Sequence, residues 1–96
     1  MPLSLDDVLT IAPDVMFSHL NDEAVLLDLK SGKYFGLNDV GARTWQLILE
    51  HGRLSRVLEA LLEEYAGERD AVERDLMALA AELVARHLAA PKSHAG

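Results

Sequence analysis

Apolar residues recur at short range between Val15 and Leu37, then at helical spacing from Val40 onward, so the chain divides near Asn38-Asp39 into a strand-forming part and a helix-forming part. Val15 to Leu20 predicts a first strand, with Val15 and Phe17 on one face and Met16 and Ser18 on the other. Asn21-Asp22 supplies turn chemistry, because both side chains bond local backbone and tolerate left-handed conformations. Ala24 to Lys30 predicts a second strand, in which Val25, Leu27 and Leu29 share a face while Asp28 and Lys30 point to the opposite side. Ser31-Gly32 turns the chain again, and Tyr34 to Leu37 predict a third strand. Short consecutive connections favour an antiparallel meander with the second strand central and the third at an edge. Ahead of it, Leu3, Leu5, Val8 and Ile11 fix neither period, and Pro13 closes that segment.

Beyond Leu37 the signals are helical. Asn38 or Asp39 caps a helix through Leu49 that presents Val40, Thr44, Leu47 and Ile48, and His51-Gly52 ends it. Ser55 is the expected cap of a second helix, with Val57, Leu58, Leu61, Leu62 and Tyr65 on its apolar side and a break at Ala66-Gly67. Asp70 and Glu73 stand at capping-box spacing before a third helix that runs to about His87 or Leu88. Its main stripe is Val72, Leu76, Leu79 and Leu83, and a second stripe holds Ala80, Val84 and His87. Ala90 to Gly96 offers little to bury and is expected to fray, giving one domain over residues 1–90 and a flexible tail over 91–96. A small sheet cannot bury its apolar face alone, so the helices must cover it. The expected class is α+β: a winged helix-turn-helix-like fold of a three-stranded antiparallel sheet followed by three helices.

Composition narrows the chemistry. The chain has 96 residues, half of them hydrophobic, and no cysteine, so disulfides, thiolate metal sites and cysteine nucleophiles are excluded. The formal charge of −7, from nine Lys+Arg against sixteen Asp+Glu, argues against phosphate-backbone binding. Acidic residues concentrate between Glu59 and Asp75, with Arg69 and Arg74 interspersed; they read as a solvated helical face, with attraction for a basic partner as the alternative. The four histidines, at 19, 51, 87 and 94, include no pair at helical ligand spacing, so no metal site is expected. Asp28 and Asp39 have nothing that brings them together as an acid/base pair, and no phosphate loop, dinucleotide fingerprint or nucleophile elbow occurs. No enzyme activity and no cofactor are therefore expected. The N-terminus lacks a basic n-region and an apolar h-region, and no apolar run approaches a membrane span, which places the protein in the cytoplasm.

The informative segment runs from Glu23 to Trp45. Its third strand lies at a sheet edge unless a later element covers it, and an exposed edge is where an extended peptide docks. The third helix is apolar over more surface than one seam against a three-stranded sheet requires. Either both stripes are buried, by the sheet, the shorter helices or a second copy of the chain, or part of that surface lies beside the third strand as a second wall. Tyr34 and Phe35 are neighbours on a strand, so one enters the core and the other faces away, unless a helix wraps the edge and buries both. Trp45, the single tryptophan, is read as core packing beside Ile48 and Leu49. Proline at Phe35 is expected to interfere with peptide pairing, since it removes a strand donor.

The run Val25-Leu-Leu-Asp-Leu-Lys-Ser-Gly-Lys-Tyr-Phe-Gly-Leu-Asn-Asp-Val-Gly-Ala-Arg-Thr-Trp45 resembles the signature of the pyrroloquinoline quinone biosynthesis D-type family, small precursor-peptide chaperones also called RiPP recognition elements. With the strand order and the Leu/Val-rich second helix, the resemblance extends over Val15 to Leu88. It implies a fold that binds a leader peptide as an extra strand against the third strand and third helix, while a partner enzyme acts on the attached core peptide. Carried onto this chain, the strand contacts are Lys33, Tyr34, Phe35, Gly36 and Leu37, and the helix contacts are Asp75, Leu76, Leu79, Ala80 and Leu83. The Asp-Leu-Lys-Ser-Gly-Lys-Tyr-Phe-Gly-Leu-Asn version is most similar to stand-alone members of lasso-peptide gene clusters, which work with a separate leader peptidase. A chaperone for a radical enzyme in quinone-cofactor or other modified-peptide synthesis is the alternative within the family. Outside it stand a winged-helix DNA-binding regulator, for which Arg69, Arg74 and Arg86 among many carboxylates make a poor recognition helix, and a homodimer packed through its third helix.

Overall fold

The computed structural model describes residues 3–20 and 23–92. Among the described residues, five strands and three helices follow in the order β1 (Leu9–Ile11), β2 (Val15–Leu20), β3 (Glu23–Asp28), β4 (Tyr34–Leu37), α1 (Asp39–His51), α2 (Leu54–Glu64), α3 (Arg69–Ala85) and β5 (Ala89–Pro91). The expected meander is present: β2, β3 and β4 form a three-stranded antiparallel sheet with β3 central. The expected turn at Asn21-Asp22 lies outside the described residues.

The register corrects the face assigned to the central strand. Phe17 pairs with Leu26 and Leu26 with Phe35, while Met16 pairs with Leu27 and Leu27 with Tyr34. Ala24 and Leu26 are the buried residues of β3, Leu26 at 0 % exposure, so the helices cover the face of Phe17, Leu26 and Phe35. Val25 and Leu27 lie on the outer face, half-buried, and Leu29 lies beyond the strand, exposed. β3 also ends at Asp28, before the expected Lys30. The Asp28 carboxylate accepts the Lys30 N–H at 3.0 Å and the Ser31 hydroxyl at 2.9 Å, and its carbonyl accepts the Gly32 N–H at 2.7 Å. Those bonds curl the chain into the turn, where Gly32 takes a φ of 74°.

Each helix start has a distinct cause. Asn38 caps α1 as expected, its Oδ1 accepting the Gly41 N–H at 2.7 Å. α2 starts at Leu54 with Arg53 as N-cap, so Ser55 lies inside the helix and does not cap it. The orphan amides are taken by the N-terminal segment instead: Leu54 N–H donates to Asp7 O at 3.0 Å, and Ser55 N–H to Leu5 O at 2.8 Å. α3 starts at Arg69 behind Glu68, which makes no side-chain cap bond. Asp70 lies in its first turn, where it favours the positive dipole end and does not complete the expected capping box.

Gly52 ends α1 with a φ of 74°, and a Cβ there would stand 3.0 Å from Val8 Cγ1 and 3.4 Å from Leu9 O. Gly52→Ala is therefore expected to cost about 1–2 kcal/mol from the left-handed backbone alone, read as a lower urea midpoint. An unchanged midpoint would show that the close approach of the N-terminal segment is not needed.

α3 stops at Ala85, slightly short of the expected end, in a C-terminal turn where His87 has φ 61° and Leu88 N–H donates to Leu83 O at 2.9 Å. The chain then pairs as β5 with β1, Ile11 opposite Ala89 and Leu9 opposite Pro91, and Lys92 N–H donates to Val8 O. Ala90 to Lys92 is thus held by backbone bonds where the sequence predicts fraying, and residues 93–96 lie outside the description. The core gathers Leu26, Trp45, Leu47, Ile48, Leu54, Val57, Leu58, Leu61, Leu76 and Leu83 between the helices and the inner sheet face. Trp45 is core packing, as expected; its indole N–H has no partner among the described residues.

Candidate functional site

β4 is an edge strand of its sheet. Its exposed backbone groups follow from one hydrogen bond: Asp28 N–H donates to Lys33 O at 3.0 Å. In an antiparallel ladder bonded pairs alternate with unbonded ones, so Leu26 with Phe35 and Ala24 with Leu37 are the bonded pairs that follow. The Lys33 carbonyl and the main-chain groups of Phe35 and Leu37 therefore face β3, the Lys33 N–H donating instead to Ser31 Oγ, while the N–H and C=O of Tyr34 and Gly36 point away from the sheet. Proline at Phe35 would then damage the host sheet itself. The positions that test an added strand are Tyr34 and Gly36.

A groove lies between this edge and α3. Its larger part, about 640 Å³, is lined by Phe35, Gly36 and Leu37, by Asn38, Val40, Gly41 and Thr44 at the start of α1, by Leu61, Tyr65 and Ala66, and by Val72, Asp75, Leu76 and Leu79 of α3. A smaller part, about 330 Å³, lies at the other end of β4 and is lined by Asp28, Ser31, Lys33, Tyr34, Phe35 and residues 85–88. Phe35 borders both. The Arg86 guanidinium sits over its ring, 4.8 Å from the centroid, and is held from behind by Glu82 at 2.9 Å.

The wall of α3 is rotated from the expected one. Asp75, Leu76 and Leu79 border the groove, but Ala80 and Leu83 are at 0 % exposure beneath it, in the core. All five strand positions, Lys33 to Leu37, border one part or the other. Val40, Thr44, Tyr65, Ala66 and Arg86 are contributors that sequence reasoning did not name. Val40 stands on the apolar stripe of α1 that the sequence shows, yet it is exposed. Tyr65, which its spacing places on the apolar side of the second helix, lies just past the end of α2 at Glu64, and Ala66 follows it in the α2–α3 connection.

Two polar clusters fix the rims. Arg43 grips Glu64 through two bonds of 2.8 Å, tying α1 to the end of α2 just before Tyr65. The Arg43 hydrogen bond holds the Glu64 carboxyl below its ordinary value and raises the guanidinium. On the hairpin turn, the Ser31 hydroxyl and then the Lys30 amide hold the Asp28 carboxyl low. Both carboxyls have depressed folded values, so these contacts are complete above the unfolded value and weaken as pH falls through the folded one. Each is exposed and modest in strength. Among the described residues no cluster of His, Asp or Glu is arranged to hold a metal ion, and no helix is long and apolar enough to cross a membrane.

A three-stranded antiparallel sheet with one edge facing a groove, followed by three helices, is a winged helix-turn-helix-like domain. Residues 23–89 match the coenzyme PQQ synthesis protein D (PqqD) family, and the chain belongs to it. Two solved structures resemble it along nearly their whole length. A structure of TbiB1 in complex with the TbiA(beta) leader peptide is 38% identical, with a TM-score of 0.75, over 91% of this chain and 99% of that one. A lasso peptide synthetase B1 complexed with the leader peptide is 34% identical, with a TM-score of 0.77, over 86% of this chain and 98% of that one. No curated protein sequence matches.

Proposed function

We propose that this protein binds the leader of a ribosomally made precursor peptide as an added strand on β4 and presents it to a separate maturation enzyme, a lasso-peptide leader peptidase. The observation that carries this reading is the edge itself: Tyr34 and Gly36 offer main-chain groups that are unpaired among the described residues, directly beside an apolar groove walled by α3. The two similar structures, both of leader complexes, support the same ligand. PqqD-like leader-binding proteins are generally non-catalytic, and this chain acts by holding its peptide in reach of the enzyme, in the cytoplasm. Backbone bonds fix the strand and groove side chains select the sequence. The DNA-binding reading gains no support from α3, whose groove side presents Asp75 and whose Arg86 is occupied by Glu82 and Phe35.

Titration of a fluorescently labelled leader, taken from a precursor encoded beside the gene, is expected to saturate. Absence of binding would overturn the proposal. Leu79→Ala removes a half-buried groove wall without opening the core, and is expected to weaken binding by about 2 kcal/mol, roughly thirtyfold. Full affinity in a folded Leu79→Ala protein would move the ligand off this groove. Light scattering on the free protein and on the complex decides whether a second copy of the chain takes part.

A further inference from the structure

Gly36 is a glycine the fold does not require. It has no left-handed φ, and among the described residues a Cβ there would meet no atom within 4 Å. Glycine inside a strand weakens it, and where the chain's own packing gives no reason, the usual cause is the close approach of something else. The surrounding face is also unusual. An antiparallel sheet exposed on one side normally turns polar residues outward. Here the outer face carries the row Met16, Leu27 and Tyr34, with Met16 51 % and Tyr34 65 % exposed, and beside it the row Ser18, Val25 and Gly36. Gly36 is a gap at the open end of the second row.

We infer that the bound peptide is read on both faces of the sheet, and that the outer reading is an aromatic side chain lying flat across Gly36 onto Val25. The inference rests on the leader-binding reading and concerns the same edge. A residue paired antiparallel with Gly36 turns its side chain to the face Gly36 leaves empty, because directly opposed residues share a face. Gly36 faces outward with its main-chain groups, so the added strand bonds it at a Cα separation of about 5.5 Å, and Val25 lies about 4.5 Å behind it. An aromatic ring spans that distance over a bare glycine, and a small side chain does not. Such cross-strand cover compensates the glycine, which explains an uncovered gap in the free protein. The groove thus reads alternate peptide residues on the inner face, and the Gly36 gap reads one of the residues between them.

The test is a double-mutant cycle in anisotropy titrations of labelled leader, with the chain wild type, Gly36→Val, Gly36→Ala or Val25→Ser, and each leader residue changed to alanine in turn. Circular dichroism is expected to show Gly36→Ala and Gly36→Val folded and no less stable than wild type, because the new side chain enters open space. Gly36→Val should weaken the leader about tenfold. One aromatic leader position, opposite in parity to the groove-facing ones, should cost about tenfold in wild type and under threefold in the Gly36 and Val25 variants. Wild-type binding with additive losses at every position, or unchanged affinity in Gly36→Val, overturns the outer-face reading and leaves leader binding standing. Failure of the wild-type chain to bind removes leader binding, and this inference with it.

Discussion

Tyr34→Pro is expected to lower leader affinity by about a hundredfold while the protein stays folded, and Phe35→Pro, one residue on, is expected to unfold the sheet. The two substitutions each remove one backbone donor and fix the same φ, so their difference isolates where each N–H points. Tyr34 N–H faces away from β3, so proline there breaks no bond of the free protein, and an edge strand tolerates it. In the complex it strands a carbonyl of the added peptide and places its ring in the bonding path. An unpaired buried group costs about 1–3 kcal/mol, and the exposed Tyr34 side chain is lost as well. Tyr34→Ala separates that side-chain share. Phe35 N–H faces Leu26 across the ladder, so its loss cuts β4 from the sheet. Urea melts and anisotropy on both variants give the comparison. Equal stability losses would mean the ladder is assigned one residue out of phase.

Leu26→Ala is expected to cost about 3 kcal/mol and Leu27→Ala under about 1 kcal/mol, although the two leucines are adjacent in one strand. Leu26 is at 0 % exposure between the sheet and the helices, where truncation leaves a cavity as well as lost burial. Leu27 lies half-buried on the outer face and leaves no cavity when shortened. For a domain of this size the first change should lower the thermal midpoint by roughly 15 °C, the second by a few degrees at most. Similar losses at both positions would contradict the observed facing of β3.

That strand also shows where sequence reading reached its limit. Ala24-Val25-Leu26-Leu27 is apolar at both parities, so only Asp28 and Lys30 suggested which side faces water. Asp28 in fact shares the parity of the core face. It sits past the end of the core, and its carboxylate is engaged in the turn. The Tyr34 to Gly41 block was legible because each residue type has a local job there: a short strand, then an asparagine cap on Gly41. The α2 cap was not, because the groups that satisfy its first amides are carbonyls of Leu5 and Asp7, far away in sequence. Nor does Ala-Ala-Pro carry any mark of the strand it becomes opposite Leu9 to Ile11. In the site, the edge followed from strand order. The rotation of α3, which sinks Ala80 and Leu83 and brings up Asp75 and Leu79, required packing against both the sheet and α2.

The shortness of β4 limits how firmly any backbone can be held. Four residues, Tyr34–Leu37, alternate in direction, so only two of them face an incoming strand, with one donor and one acceptor each. At about 1 kcal/mol net per bond, four such bonds amount to roughly 4 kcal/mol, an affinity near the millimolar range. An arbitrary extended segment that meets this edge therefore dissociates at once. Retention has to come from side chains in the groove and over the sheet. The same brevity guards the protein against pairing edge to edge with its own copies, so the edge stays open without inviting aggregation.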